Sequence, residues 1–149
     1  MPKASVKRLI ECNKGQLIDL VLDIKSYPSF IPYCLNSKVY EKKEEKGVIS
    51  IIADLTIGKG PFNATYKSDV KYYKGTDTIH VTNIEGPLKY LNNKWTFIEK
   101  NNCTEISFDI DFEIENKFLN ILMNKSFQYG LDKIADSFQK RANNLFKNK

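Results

Sequence analysis

Apolar side chains in residues 116–147 recur in steps of three and four. Phe127, Leu131, Ile134, Phe138, Ala142 and Leu145 fall on one face of a 3.6-residue period. A long amphipathic helix is predicted there, with Asn116 as its cap. Its opening is different, because Phe118, Leu119, Ile121, Leu122 and Met123, advanced at about 100° per residue, point mostly away from the later stripe. Such a helix either kinks near Lys125 or carries apolar surface on two sides. Packing in a core accounts for the stripe; the surplus suits the mouth of a cavity or a bilayer.

Upstream, from Ser37 to Glu113, the period is two and no helical stretch interrupts it. Ile49, Ile51, Ala53, Leu55 and Ile57 share one face of a strand, with Asp54 and Thr56 on the other. Phe62, Ala64, Tyr66, Ser68, Val70 and Tyr72 alternate with Asn63, Thr65, Lys67, Asp69 and Lys71, so the next strand has a wide and partly polar inner face. A weaker strand follows over 78–85, then Gly86-Pro87 turns the chain toward Leu91, Trp95 and Phe97. Asn101-Asn102 marks another hairpin before Ile106, Phe108, Ile110, Phe112 and Ile114. The run Gly58-Lys59-Gly60-Pro61 is a turn and not a phosphate cradle, since no helix opens after it. Glu41-Lys42-Lys43-Glu44-Glu45-Lys46 reads as a solvated turn.

At the start, residues 4–11 give a first strand at a sheet edge. Asn13 with Gln16 three residues on makes a capping box for a short helix through Leu17, Leu20, Val21 and Ile24 that ends before Pro28. The prolines of Tyr27-Pro28-Ser29-Phe30-Ile31-Pro32-Tyr33-Cys34 then permit only a compact turn or a single helical turn with its aromatics inward. Strand, short helix, about six strands in succession and a long helix together predict an α+β domain. It has an antiparallel sheet with helices gathered on one face. One domain over residues 1–149 accommodates this, with room for a core and a cavity.

Composition, at 42% hydrophobic and 28% charged with no apolar run near the eighteen or so residues of a membrane span, is that of a soluble globular chain. The first residues, Met1-Pro2-Lys3-Ala4-Ser5, lack the apolar core of a signal peptide, and a cytoplasmic location is expected. Cys12, Cys34 and Cys103 are odd in number and far apart, which argues against disulfides or zinc and for a reducing compartment. The net charge of +5 is compatible with phospholipid head groups or RNA. No DNA partner is expected.

Catalytic chemistry has little to build on. The sole histidine, His80, alternates with Ile79 and Val81 and so faces solvent, and a Cys34/His80 pair has no supporting motif. Asp109, Asp111 and Glu113 alternate with core residues as a solvated sheet face does, and no cluster suits a metal. A binding role fits better. Tyr66, Ser68 and Tyr72 beside Phe62 and Val70 give an apolar wall with a few hydroxyls, matched to an apolar ligand with carbonyl oxygens.

Three stretches in series, Tyr27-Pro28-Ser29-Phe30-Ile31-Pro32-Tyr33-Cys34, Gly86-Pro87-Leu88-Lys89-Tyr90-Leu91 leading into Trp95-Thr96-Phe97, and Phe138-Gln139-Lys140-Arg141-Ala142, resemble the coenzyme Q-binding branch of the START-domain, or polyketide cyclase-like, superfamily. Leu88 stands where that family usually has phenylalanine. The resemblance implies a helix-grip fold, a curved antiparallel sheet of about seven strands wrapped around the C-terminal helix. It also implies a hydrophobic tunnel for ubiquinone or a related lipid, with no covalent cofactor. The expected lining is Phe30, Phe62, Tyr66, Ser68, Val70, Tyr72, Leu88, Leu91, Trp95, Phe118, Leu122 and Phe127. A carrier or chaperone supporting respiratory electron transport, peripheral to the inner membrane if bacterial, is the implied role. The family is also similar to ribosome-association toxins and to cyclases, which keeps a ribosome-directed role and a cyclase as alternatives. Burying one five-carbon isoprene unit contributes roughly 3 to 4 kcal/mol at about 0.8 kcal/mol per methylene, before ordering costs.

Overall fold

The computed structural model describes residues 3–59, 62–86, 88–115 and 117–147. Seven strands form one antiparallel sheet: β1 (Lys3–Ile10), β2 (Cys34–Glu45), β3 (Val48–Lys59), β4 (Phe62–Tyr73), β5 (Thr78–Glu85), β6 (Leu88–Lys100) and β7 (Cys103–Ile114). Their order in space is β1-β7-β6-β5-β4-β3-β2, so five hairpins run in sequence and β1 closes onto β7. The edges are β1, as its sequence suggested, and β2. Between β1 and β2 lie α1 (Lys14–Leu22) and a 3₁₀ turn over Ile24–Ser29; α2 (Lys117–Ala142) follows β7 and passes into a π turn over Asn143–Lys147. This is the helix-grip architecture.

The capping box at α1 forms as its sequence predicts, with Asn13 Oδ1 accepting from the Gln16 amide at 2.8 Å and Gln16 Oε1 accepting from the Asn13 amide at 3.2 Å. Three expectations are corrected. The first helix stops at Leu22, and a separate 3₁₀ turn carries Pro28, whose missing N–H is tolerated in so short an element. Residues Glu41–Glu45 continue β2 and pair with Val48–Ile52 of β3, leaving the reversal to Lys46 and Gly47 at φ 49° and 79°. On an edge strand exposed on both faces, alternating Lys and Glu block further pairing, so a charged run is compatible with β structure there. Tyr33 faces outward, whereas Tyr27 and Phe30 pack inward. At α2 a single helix passes through Lys125; the cap at Asn116 lies outside the described residues.

Register fixes which side chains share the concave face. One row runs Ile49, Tyr72, Ile79, Trp95, Phe108, Val6, and the next runs Ile51, Val70, Val81, Asn93, Ile110, Ala4. A third holds Ala53, Ser68 and Asn83, with Leu91 and Phe112 beyond. Tyr66 opposite Leu55 begins a fourth. The first row is sealed by α1 and the second half of α2, through buried Leu17, Leu20, Val21, Leu131, Ala135 and Phe138. The helix runs from the end where β7 stops to the opposite end, where the Ala142 carbonyl meets the Cys12 thiol. Rows three and four therefore lie toward its beginning.

Candidate functional site

Phe138 of α2 is the hub of an aromatic cluster. Its ring stands edge-on to Tyr27, Phe30 and Trp95 with centroids 5.7, 5.3 and 5.1 Å apart, the range where aromatic pairs add to simple burial. Trp95 packs on Phe108 at 4.3 Å, the Arg141 guanidinium lies 5.2 Å from the Phe30 ring centre, and the Tyr27 hydroxyl donates to the Val21 carbonyl. All three sequence stretches that carry the family resemblance thus meet in one place. They hold the 3₁₀ turn, the sheet and α2 together.

Beyond this plug, toward the start of α2, the concave wall keeps polar atoms that have no hydrogen-bond partner, or only a long one, among the described residues. Tyr66 is largely covered, and burial together with the neighbouring Cys34 thiol pushes its hydroxyl well above the ordinary tyrosine range. It is therefore a neutral donor at any physiological pH. Among the described residues no hydrogen bond reaches it. Asn93 Oδ1 is buried without a partner between Val81 and Ile110. Ser68 is 2% exposed, and its hydroxyl reaches the Ala53 carbonyl only at 3.4 Å, long for an O–H donor. A buried polar group left unmatched costs about 1–3 kcal/mol, so this wall is suited to a guest bearing complementary oxygens.

The remaining expected residues divide. Val70, Leu91 and Trp95 are buried on the concave face, Trp95 within the aromatic plug; Phe30 and Leu88 are partly buried. Tyr72 is buried too, but its hydroxyl donates to Asp77 Oδ1 at 2.9 Å and its pKa is pushed up to about 12 by burial and that carboxylate, so it serves the β4–β5 turn. The side chains of Phe62, Phe118, Leu122 and Phe127 lie outside the described residues. His80 is exposed, edge-on to Tyr73 at 5.6 Å, as alternation predicts.

Sequence reasoning missed two asparagines and a glycine. Asn83 spans the mouth of the β5–β6 hairpin: its amide nitrogen donates to the Leu88 carbonyl at 3.2 Å and its oxygen accepts from the Leu91 amide at 3.0 Å. Gly86, at φ 130°, brings its Cα so near Tyr66 that an added Cβ would lie 2.8 Å from the tyrosine Cβ. Asn93 breaks the apolar phase Leu91, Trp95, Phe97, a signal available in the sequence. Two open hollows of about 620 and 640 Å³ share His80; the first is lined by Ala4, Val81, Asn93 and Ile110 of row two together with polar residues such as Thr82, Asn92 and Lys94, the second by residues such as Lys46, Val48, Tyr73 and Thr78. Among the described residues no group of three or more His, Cys, Asp or Glu is placed to hold a metal ion.

Comparison with known proteins adds the following. The family model for polyketide cyclase / dehydrase and lipid transport matches residues 15–139. The chain is 30% identical to the ribosome association toxin RatA of Rickettsia prowazekii over 140 residues, covering 94% of this chain and 95% of that one. It is 29% identical to the mitochondrial coenzyme Q-binding protein COQ10 of Dictyostelium discoideum over 135 residues, 89% of this chain and 64% of that longer protein. Among solved structures, the 18 kDa protein CC1736 of Caulobacter crescentus superposes with a TM-score of 0.80 at 25% identity over 97% of this chain and 98% of that one. A START superfamily protein of Mycobacterium smegmatis does so at 0.79 and 14% identity, covering 96% and 98%.

Proposed function

The chain belongs to the polyketide cyclase / dehydrase and lipid transport family, and from that membership we propose that it binds a polyprenyl quinone, or a lipid of like chemistry, between the concave sheet and the first half of α2. The observation that carries this reading is the Tyr66 hydroxyl, largely covered and reached by no hydrogen bond among the described residues, on a mostly apolar wall. A quinone offers carbonyl acceptors at one end and isoprene units at the other. Tyr66, with Ser68 able to turn from its long bond, donates to the head; Val70, Leu91 and Leu88 cover the tail. The role is that of a carrier or chaperone. A cyclase needs a general acid or base at the reacting atoms, and the wall formed by Ala53, Ser68, Val70, Leu91 and Phe112 carries no carboxylate or imidazole.

Lipid extracted from protein purified from its own cells, analysed by mass spectrometry, is expected to contain a quinone. Titration of the delipidated protein with a short-chain ubiquinone is expected to saturate with one site per chain. Reproducible absence of both results overturns the reading.

A second reading rests on a separate observation, the match to a ribosome association toxin over nearly the full length of both chains. With a net charge of +5, association with the large ribosomal subunit would be salt-sensitive. Co-sedimentation that weakens as salt rises supports it; no association at low salt removes it.

A further inference from the structure

The sheet departs from regular backbone at several points near one end, and these departures bring large apolar side chains to the surface. Tyr33 sits at φ 68°, a conformation unfavourable for a bulky residue, with its ring 42% exposed. The β2–β3 register skips Leu35 and Tyr40, which are 51% and 48% exposed. The β4–β5 register skips Ile84, 49% exposed. Bulges re-aim side chains, and backbone strain that buries nothing calls for another use.

Position adds to this. Tyr33 accepts from the Gly58 amide at the end of β3, Ile84 lies at the end of β5, and Leu88 pairs with Ile114 just before α2 begins. Rows three and four of the concave wall lie toward this end, while Lys38 and Lys67, in register with Asp54, and Tyr40, bonded to it, stand on the convex face beside it. Lysines are interleaved there. Lys38 and Lys67 place their ammonium groups 4.9 and 4.8 Å from the centre of the Tyr40 ring, and the skip between Leu88 and Tyr90 leaves Lys89 outward. Lys67 and Lys89 also pair with Glu85 and Glu113 at 2.9 and 3.4 Å, and Tyr40 donates to Asp54; exposed pairs of this kind are weak enough to exchange partners.

We infer that Tyr33, Leu35, Tyr40 and Ile84, with Lys38, Lys67 and Lys89, form a docking surface for an anionic lipid bilayer. Leucine and isoleucine enter the acyl boundary, tyrosine rings lie at head-group depth and lysines meet phosphates. The inference rests on the lipid-binding reading, since a guest leaves a bilayer only where the protein touches it. A bilayer, moreover, accommodates a patch that is uneven and mixes apolar with cationic groups.

The test uses the full chain with tryptophan reporters, Trp95 being buried and constant. Tyr33→Trp and Ile84→Trp are mixed with vesicles of phosphatidylcholine and phosphatidylglycerol carrying brominated acyl chains. Leu9→Trp, on the opposite edge strand, is the reference. Emission of the first two is expected to shift to the blue and be quenched while Leu9→Trp is unchanged. The double variant Leu35→Glu, Ile84→Glu is expected to lose about tenfold or more in vesicle affinity, with its thermal midpoint kept. Equal quenching at Leu9→Trp, no quenching at any site, or unchanged affinity of the double variant overturns the inference. So does loss of ribosome binding in that variant with vesicle binding intact. Quinone titration without vesicles is read separately: docking lost with quinone binding kept defeats only this surface, and the reverse defeats only the lipid reading.

Discussion

Asp77 shows how much one surface residue can coordinate. It sits at φ 50° in the β4–β5 turn and accepts from the Lys14 ammonium at 2.8 Å and the Tyr72 hydroxyl at 2.9 Å, tying α1 to β4. Lys14 first, then Tyr72, hold its carboxyl below the ordinary 3.8. A carboxylate depressed on folding stabilises the fold above its unfolded pKa, and that stabilisation is lost as pH falls through the folded value. Asp77→Asn is therefore expected to lower stability at neutral pH by a few tenths to about 1 kcal/mol, solvent screening included. The difference from the wild type should begin to shrink as pH falls below the ordinary 3.8 and vanish only below the depressed folded value, when urea unfolding is followed across pH. Gly86 is less forgiving. Alanine there combines a left-handed φ with a Cβ 2.8 Å from Tyr66, so Gly86→Ala should cost about 2–4 kcal/mol by urea unfolding. At this scale the sequence is only half legible: Gly86-Pro87 announces a turn, but that the glycine is needed for contact with Tyr66, twenty residues earlier, is a tertiary fact no local pattern contains.

Elements were the most legible level, and the reasons lie in periodicity. The strand predicted over 78–85 is β5, and the faultless alternation after Ile106 is β7. Where the reading failed, at residues 41–45, it took charge density for solvation of a turn that in fact begins at Lys46; charge is equally at home on an edge strand. Periodicity also identifies the stripe of α2 without saying what it touches. The structure supplies that: Phe138 meets Tyr27, Phe30 and Trp95, so the stripe is the lock that closes the helix on the sheet. Phe138→Ala should cost about 3–5 kcal/mol by the usual cavity penalty. Because the loss falls on the α2 contact, hydrogen exchange is expected to rise in α2 and the 3₁₀ turn more than in β3 and β4. Uniform acceleration across the sheet would show that the lock is no more local than the rest of the core.

For the whole molecule, plug and wall make opposite demands on the same concave surface, and their division along α2 is what joins fold to function. Row one is satisfied by protein: Trp95, Phe108 and Phe138 fill it. Rows three and four hold Tyr66, whose hydroxyl meets no partner among the described residues, and Ser68, whose bond is long at 3.4 Å. The hydroxyls were visible as polar residues in phase with an apolar face, but Tyr72 and Tyr66 look alike in sequence, and only the fold shows that Asp77 takes the first. Tyr66→Phe separates the two demands. If the hydroxyl exists for a guest, its removal leaves the empty protein about as stable, because no hydrogen bond among the described residues is lost with it. Affinity for a short-chain ubiquinone falls, by about two- to tenfold for one neutral hydrogen bond of roughly 0.5–1.5 kcal/mol. Tyr72→Phe should do the reverse, lowering stability through Asp77 and leaving affinity nearly unchanged. Calorimetric titration and thermal unfolding of both variants read the two effects independently. Equal affinities for Tyr66→Phe and the wild type would show that the hydroxyl takes no part in holding the guest.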